Sequence, residues 1–138
     1  MEEKVREEGK EMRNELEKKL IEKFPKIFRD VGLTPQESCM AFGCECDDGW
    51  FDLLNELCTE IQVYLDKNKN CKQVVAAQVK EKFGGLRFYY DGGDEVTETF
   101  VMRAEQESEK ICEKCGKEGT IGGKSWLKCL CKNCNNEK

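Results

Sequence analysis

Residues Ile111–Cys134 read ICEKCGKEGTIGGKSWLKCLCKNC. Cys112 and Cys115 form one Cys-x-x-Cys pair, and Cys131 and Cys134 form a second. A loop of 15 residues, rich in Gly and Lys, separates them. Two short knuckles closed by one loop can present four sulfurs tetrahedrally, which is the arrangement of a structural zinc site. Gly116 follows the first knuckle, where a left-handed turn suits a residue without Cβ. The expected ligands are Cys112, Cys115, Cys131 and Cys134, with Cys129 as an alternative to Cys131. Four thiolates close the coordination sphere, so the expected role of the Zn2+ is to hold the fold.

Other chemistries fit this stretch less well. A redox Cys-x-x-Cys stands as one pair opening a helix after a strand. Catalytic zinc needs an open position for water and a nearby general base. The chain has no histidine, which removes Cys-His and Ser-His-Asp constellations and the H-x-E half of a zinc deaminase. Ten cysteines in a secreted chain would suggest disulfides. The N-terminus MEEKVREEGKEMRN has no apolar signal run, and no stretch has the apolar length of a membrane helix. The expectation is a reducing cytoplasm, with the cysteines as thiols and metal ligands.

At 138 residues, 38% hydrophobic and 37% charged, the chain suits one modest core helped by a metal staple. The expected organisation is a charged helix over 1–30, an α+β core over 31–111 and a zinc-binding module over 112–138. Charge is unevenly spread. Residues 31–66 hold eight acids and no Lys or Arg, whereas the tail from Cys112 onward holds six Lys against three Glu.

Upstream of the metal motif, residues 2–24 predict a helix, with Glu2/Arg6 and Glu15/Lys19 at i,i+4 spacing. Met12, Leu16, Leu20 and Phe24 form its apolar stripe, and Val5 is the only large aliphatic residue before them. Residues 30–47 are broken by Gly32, Pro35 and Gly43 and contain Cys39, Cys44 and Cys46. With Cys58 or Cys71 these offer a second metal set, against the plainer reading as small apolar core residues. Residues 48–66 predict an amphipathic helix capped by Asp47 or Asp48. Trp50, Leu54, Leu57, Ile61 and Leu65 line its inner face, and Asp52, Glu56 and Glu60 form an acidic outer ridge.

Residues 71–93 predict an antiparallel hairpin. Val75, Ala77 and Val79 point inward on one strand, and Leu86, Phe88 and Tyr90 on the other. Gly84–Gly85 are expected to supply positive φ or a close backbone approach at the turn. Lys80, Lys82 and Arg87 would then lie together beside aromatics, as a phosphate- or base-binding face or as ordinary edge protection. A last helix over 94–111, capped by Asp94, turns Val96, Phe100, Ala104 and Ile111 inward and leads into Cys112. A short strand near Lys124–Leu130 delivers the second knuckle. The expected fold is α+β: three helices, an antiparallel β-hairpin and a zinc-ribbon-like or treble-clef-like C-terminal module.

The segments Cys46-Asp-Asp-Gly49-Trp50, VKEKFGGLRFYY (Val79–Tyr90), Ala104-Glu105 with Ser108, CEKCG and Trp126…Leu130-Cys131 resemble a family of uncharacterised small proteins of bacteria and their phages. The resemblance spans roughly residues 38–134. In that pattern Cys131 takes the knuckle position and Cys129 is incidental. The resemblance brings no activity with it and implies a phage or prophage origin. Combined with the acidic region, it gives the expectation of a non-enzymatic, zinc-stabilised binding protein. Its expected partner is a host protein with a basic surface, met through Asp52, Glu56 and Glu60, with anti-CRISPR-like inhibition of a host defence nuclease as the expected mode. The alternative is a nucleic-acid-binding accessory protein using Lys80, Lys82, Arg87 and the tail residues Lys124, Lys128 and Lys132.

Overall fold

The computed structural model describes residues 12–123 and 126–136. Glu2, Val5, Arg6 and Lys124, on which expectations were placed, lie outside them. The first described helix, α1 (Asn14–Lys23), begins later than its apolar stripe suggests. Met12 is fully buried but not helical, and its N–H donates to the Cys44 carbonyl at 3.4 Å. Arg13 is extended (φ −58°, ψ 143°) because both its ends are held by one carboxylate. Its backbone N–H reaches Asp48 Oδ1 at 2.8 Å and its Nε reaches Asp48 Oδ2 at 2.7 Å. Leu20 and Phe24 are buried and Leu16 is partly buried, so this stripe belongs to the core.

A two-residue strand, β1 (Cys44–Glu45), follows two 3-10 turns in the Gly/Pro-broken region. Its backbone is fixed from α1, since the Glu17 carboxylate accepts from Cys44 N–H at 2.6 Å. Cys44, Cys46 and Cys58 are buried in the core, and burial pushes all three thiols up. They are neutral apolar filling. Among the described residues they join no metal-binding group.

The long helix α2 (Phe51–Lys67) buries Leu54, Leu57, Ile61 and Leu65 as expected, together with Leu53 and Cys58, and Trp50 is buried just before it. Its entry differs from the expectation. Asp48–Trp50 form a separate 3-10 turn, and Asp47 caps that turn by accepting from Asp48 N–H at 2.7 Å. Trp50 occupies the N-cap of α2 without a side-chain bond.

Strands β2 (Val75–Lys82) and β3 (Gly85–Asp91) form the expected hairpin, and β1 adds to β2 in parallel, giving the order β1-β2-β3. Ala77 is out of phase: the register skips it between Ala76 and Gln78, a bulge with one extra residue. The inner set is therefore Val74, Ala76 and Val79, all fully buried, and Ala77 is not among them. On β3, Leu86 and Phe88 are buried and Tyr90 is half-buried.

At the hairpin turn the positive φ angles fall on Phe83 (55°) and Gly84 (86°), not on Gly85. Two consecutive left-handed residues match the twist of the flanking strands in a two-residue loop. A Cβ at Gly84 would also stand 3.0 Å from Ile121 Cγ2, whereas one at Gly85 meets only the flexible end of Arg87 at that distance. Gly84→Ala should cost about 1–2 kcal/mol and Gly85→Ala much less. Equal denaturation midpoints for the two variants would contradict this assignment.

Helix α3 (Glu95–Ser108) starts with a capping box between Asp94 and Thr97. Its buried stripe is Thr97, Val101, Ala104 and Ser108. Of the expected inner set only Ala104 is fully buried; Val96 is 40% exposed, and Phe100 and Ile111 are half-buried. The reason is polar pairing with the sheet. Ser108 Oγ accepts from Leu86 N–H at 2.9 Å, and Glu105 Oε2 accepts from Phe88 N–H at 2.9 Å. These two bonds cover the outer edge of β3, which would otherwise present open donors. A two-stranded hairpin, β4 (Thr120–Gly122) with β5 (Lys128–Leu130), and a short helix α4 (Lys132–Asn136) complete the α+β fold. The described residues thus form four helices, one more than expected.

Candidate metal centre

The first knuckle is a tight turn after α3. Cys112 N–H donates to Lys117 O at 2.6 Å, and Gly116 N–H returns to Cys112 O at 2.9 Å. The chain then forms the β4–β5 hairpin, and Cys131 and Cys134 lie immediately before and within α4. Knuckle, hairpin and helix in this order make the treble-clef-like form of the two expected. The Cys134 N–H donates to Cys131 Sγ at 3.4 Å, and this bond is the first cause holding the Cys131 thiol down at about 7.

The four sulfurs of Cys112, Cys115, Cys131 and Cys134 all lie within 4.8 Å of one another. Cys115 Sγ and Cys131 Sγ are 3.6 Å apart. Four sulfurs held tetrahedrally at about 2.3 Å from one ion stand about 3.8 Å apart, so the cluster is close to the size of a four-thiolate metal site and closes on an ion by a small contraction. Cys129 is excluded from it. Its thiol is fully buried, donates to the Glu109 carbonyl at 3.3 Å, and is raised by burial to about 11.

The knuckle is seated on the Asp47–Trp50 turn. Gly49 N–H donates to Glu113 O at 2.6 Å, Trp50 Nε1–H to Ile111 O at 2.9 Å, and Asp47 N–H to Glu113 Oε2 at 2.9 Å. Glu113 is only 2% exposed, and burial lifts its carboxyl to about 7 against the opposing pull of Lys128. Lys128 Nζ stands 3.6 Å from Glu113 and 3.3 Å from Glu81 of β2. This buried carboxylate was missed in the sequence, because a Glu inside CEKC looks like a solvated loop residue. Lys128, expected among the tail cations, is instead tied into this network.

The expected interaction residues fall on two separate faces. Asp52 and Glu56 are exposed on α2, but Glu60 is half-buried and ion-paired with Arg103 of α3. Lys80 and Arg87 are direct register partners across β2–β3. Lys80 Nζ lies 6.0 Å from the Tyr89 ring centroid, and Lys82 Nζ lies 5.6 Å from that of Phe83. Phe83 and Trp126, which are not among the expected interaction residues, are 66% and 61% exposed. With Glu81, Lys82 and Leu127 they line an open cleft of about 310 Å³. Among the described residues, no helix is long and apolar enough to cross a membrane. Comparison with family models, curated proteins and solved structures gives no match to this chain.

Proposed function

We propose that this chain is a non-enzymatic binding protein whose four-cysteine centre holds one structural zinc ion. The observation that carries this reading is the convergence of the four Sγ atoms within 4.8 Å on a knuckle docked to the fold's own α2 entry turn. An all-thiolate tetrahedral set suits zinc, with iron–sulfur chemistry as the competitor. Four cysteine ligands leave no position for a reacting water, which supports a structural role. None of the ten cysteines is in a disulfide, in keeping with a reducing cytoplasm.

Two faces are available for binding. Counter-defence inhibition of a host nuclease would use the acidic ridge, where Asp52 and Glu56 remain exposed but Glu60 is engaged by Arg103. The hairpin face has the stronger support, because Lys80, Lys82 and Arg87 share it with exposed aromatic rings. The zinc reading is tested by metal analysis of protein purified from a reducing bacterial cytoplasm. One zinc per chain is expected. Metal-free protein with titratable thiols, or iron with inorganic sulfide, would overturn it.

A further inference from the structure

We infer that the outer face and tip of the β2–β3 hairpin bind a single-stranded nucleic acid, with bases stacking on Tyr89, Phe83 and Trp126 and phosphates meeting Lys80, Lys82 and Arg87. The inference rests on the reading of the chain as a binding protein, but not on the identity of its metal. The pattern is one of alternation. Lys80 pairs across the strands with Arg87 and lies beside the Tyr89 ring, and Lys82 lies beside the Phe83 ring. Aromatic faces interleaved with cations are how single-strand binders hold bases without reading their sequence.

The tip is held open for this use. Phe83 sits at φ 55°, a conformation that bulky residues rarely adopt, and keeps its ring 66% exposed. A solvated loop would place Asn or Gly there at lower cost. Ile121 of β4 packs against Gly84, so the metal module brings Trp126 to the same cleft as Phe83 and Lys82. From Tyr89 to the tip the strand runs about 15 Å. That length suits the low end of single-strand sites, about four nucleotides.

Charge favours a strand over a protein surface, and also limits the affinity. The cleft's own acid, Glu81, is occupied by Lys128 and by the Gly84 N–H at 2.7 Å. Glu45 is the register partner of Lys80 on β1, and Glu109 approaches Gly85. Three cations on a single strand give a log–log salt slope of about −2.

The test titrates a labelled oligothymidylate of about eight nucleotides with metal-loaded full-length protein, reading anisotropy and tryptophan emission. Saturable micromolar binding is expected, tighter than to a duplex of the same length. Emission should fall as a base covers Trp126, since Trp50 is fully buried. Phe83→Ala, Trp126→Ala and Lys82→Glu should each weaken binding about tenfold or more, with metal content and Tm unchanged. Tighter binding of oligouridylate supports the inference and assigns the strand to RNA. No saturation below about 100 μM, equal binding of duplex, or full affinity in both aromatic variants would overturn it. Such a failure in protein carrying one metal per chain leaves the structural-zinc reading intact.

Discussion

Gly49→Ala is expected to destabilise the protein by about 3 kcal/mol, at the upper end of the cost of overpacking, and to weaken metal binding with it. A Cβ at this position would stand 2.1 Å from the Cys112 carbonyl oxygen and 2.4 Å from that of Glu113. Both contacts are to backbone, so no rotamer change relieves them. The same backbone accepts the Gly49 N–H at 2.6 Å, and Trp50 Nε1–H is bonded one step along the chain to Ile111 O. Moving the knuckle away by the required distance breaks these bonds and leaves buried donors unpaired, each at about 1–3 kcal/mol. Gly32→Ala is the control. Nothing lies within 4 Å of its added methyl, and a surface change of this kind stays within about 0.5 kcal/mol. Equal urea midpoints for Gly49→Ala and Gly32→Ala would show that the knuckle does not rest on this turn.

Cys115→Ser should lose stoichiometric metal and lower Tm by about 10 °C, the shift that about 3 kcal/mol gives a domain of this size. Cys129→Ser should keep the metal. The contrast follows from geometry. Cys115 Sγ is within the four-sulfur cluster, 3.6 Å from Cys131 Sγ, and a metal that binds only the folded chain adds its binding free energy to stability. Cys129 Sγ points instead at the Glu109 carbonyl, a bond that a serine hydroxyl can also make. Its replacement should cost about 1–2 kcal/mol through burial of a more polar group. Chelation of the unmodified protein should reproduce the Cys115→Ser melting curve. Metal retained by Cys115→Ser and lost by Cys129→Ser would reverse the ligand assignment.

Several features were legible in the sequence because they depend on local order. The Cys-x-x-Cys pairs carry their own spacing, and the Trp50-Leu54-Leu57-Ile61-Leu65 stripe repeats at the helical period that buries it. Asp94 caps α3 through an interaction that spans only three residues. The strands on either side of Phe83–Gly84 show clear alternation after the turn.

What only the tertiary structure decided are the features set by residues distant in the chain. A two-residue strand has no periodicity to read, so β1 appears only once β2 is beside it. The bulge at Ala77 shifts the inner face by one residue, and strand pairing alone reveals it. The inner face of α3 follows bonds from Ser108 and Glu105 to β3 rather than the larger apolar residues Val96 and Phe100. Glu113 is buried because Asp47 and Lys128, 66 and 15 positions away, arrive at its carboxylate. Composition shows Gly49 as one glycine among 12. Its necessity comes from the backbone of Cys112 and Glu113 lying where its Cβ would be, a contact between segments more than 60 residues apart. Local propensity acts within a few residues, whereas burial and close approach belong to whatever the fold brings together.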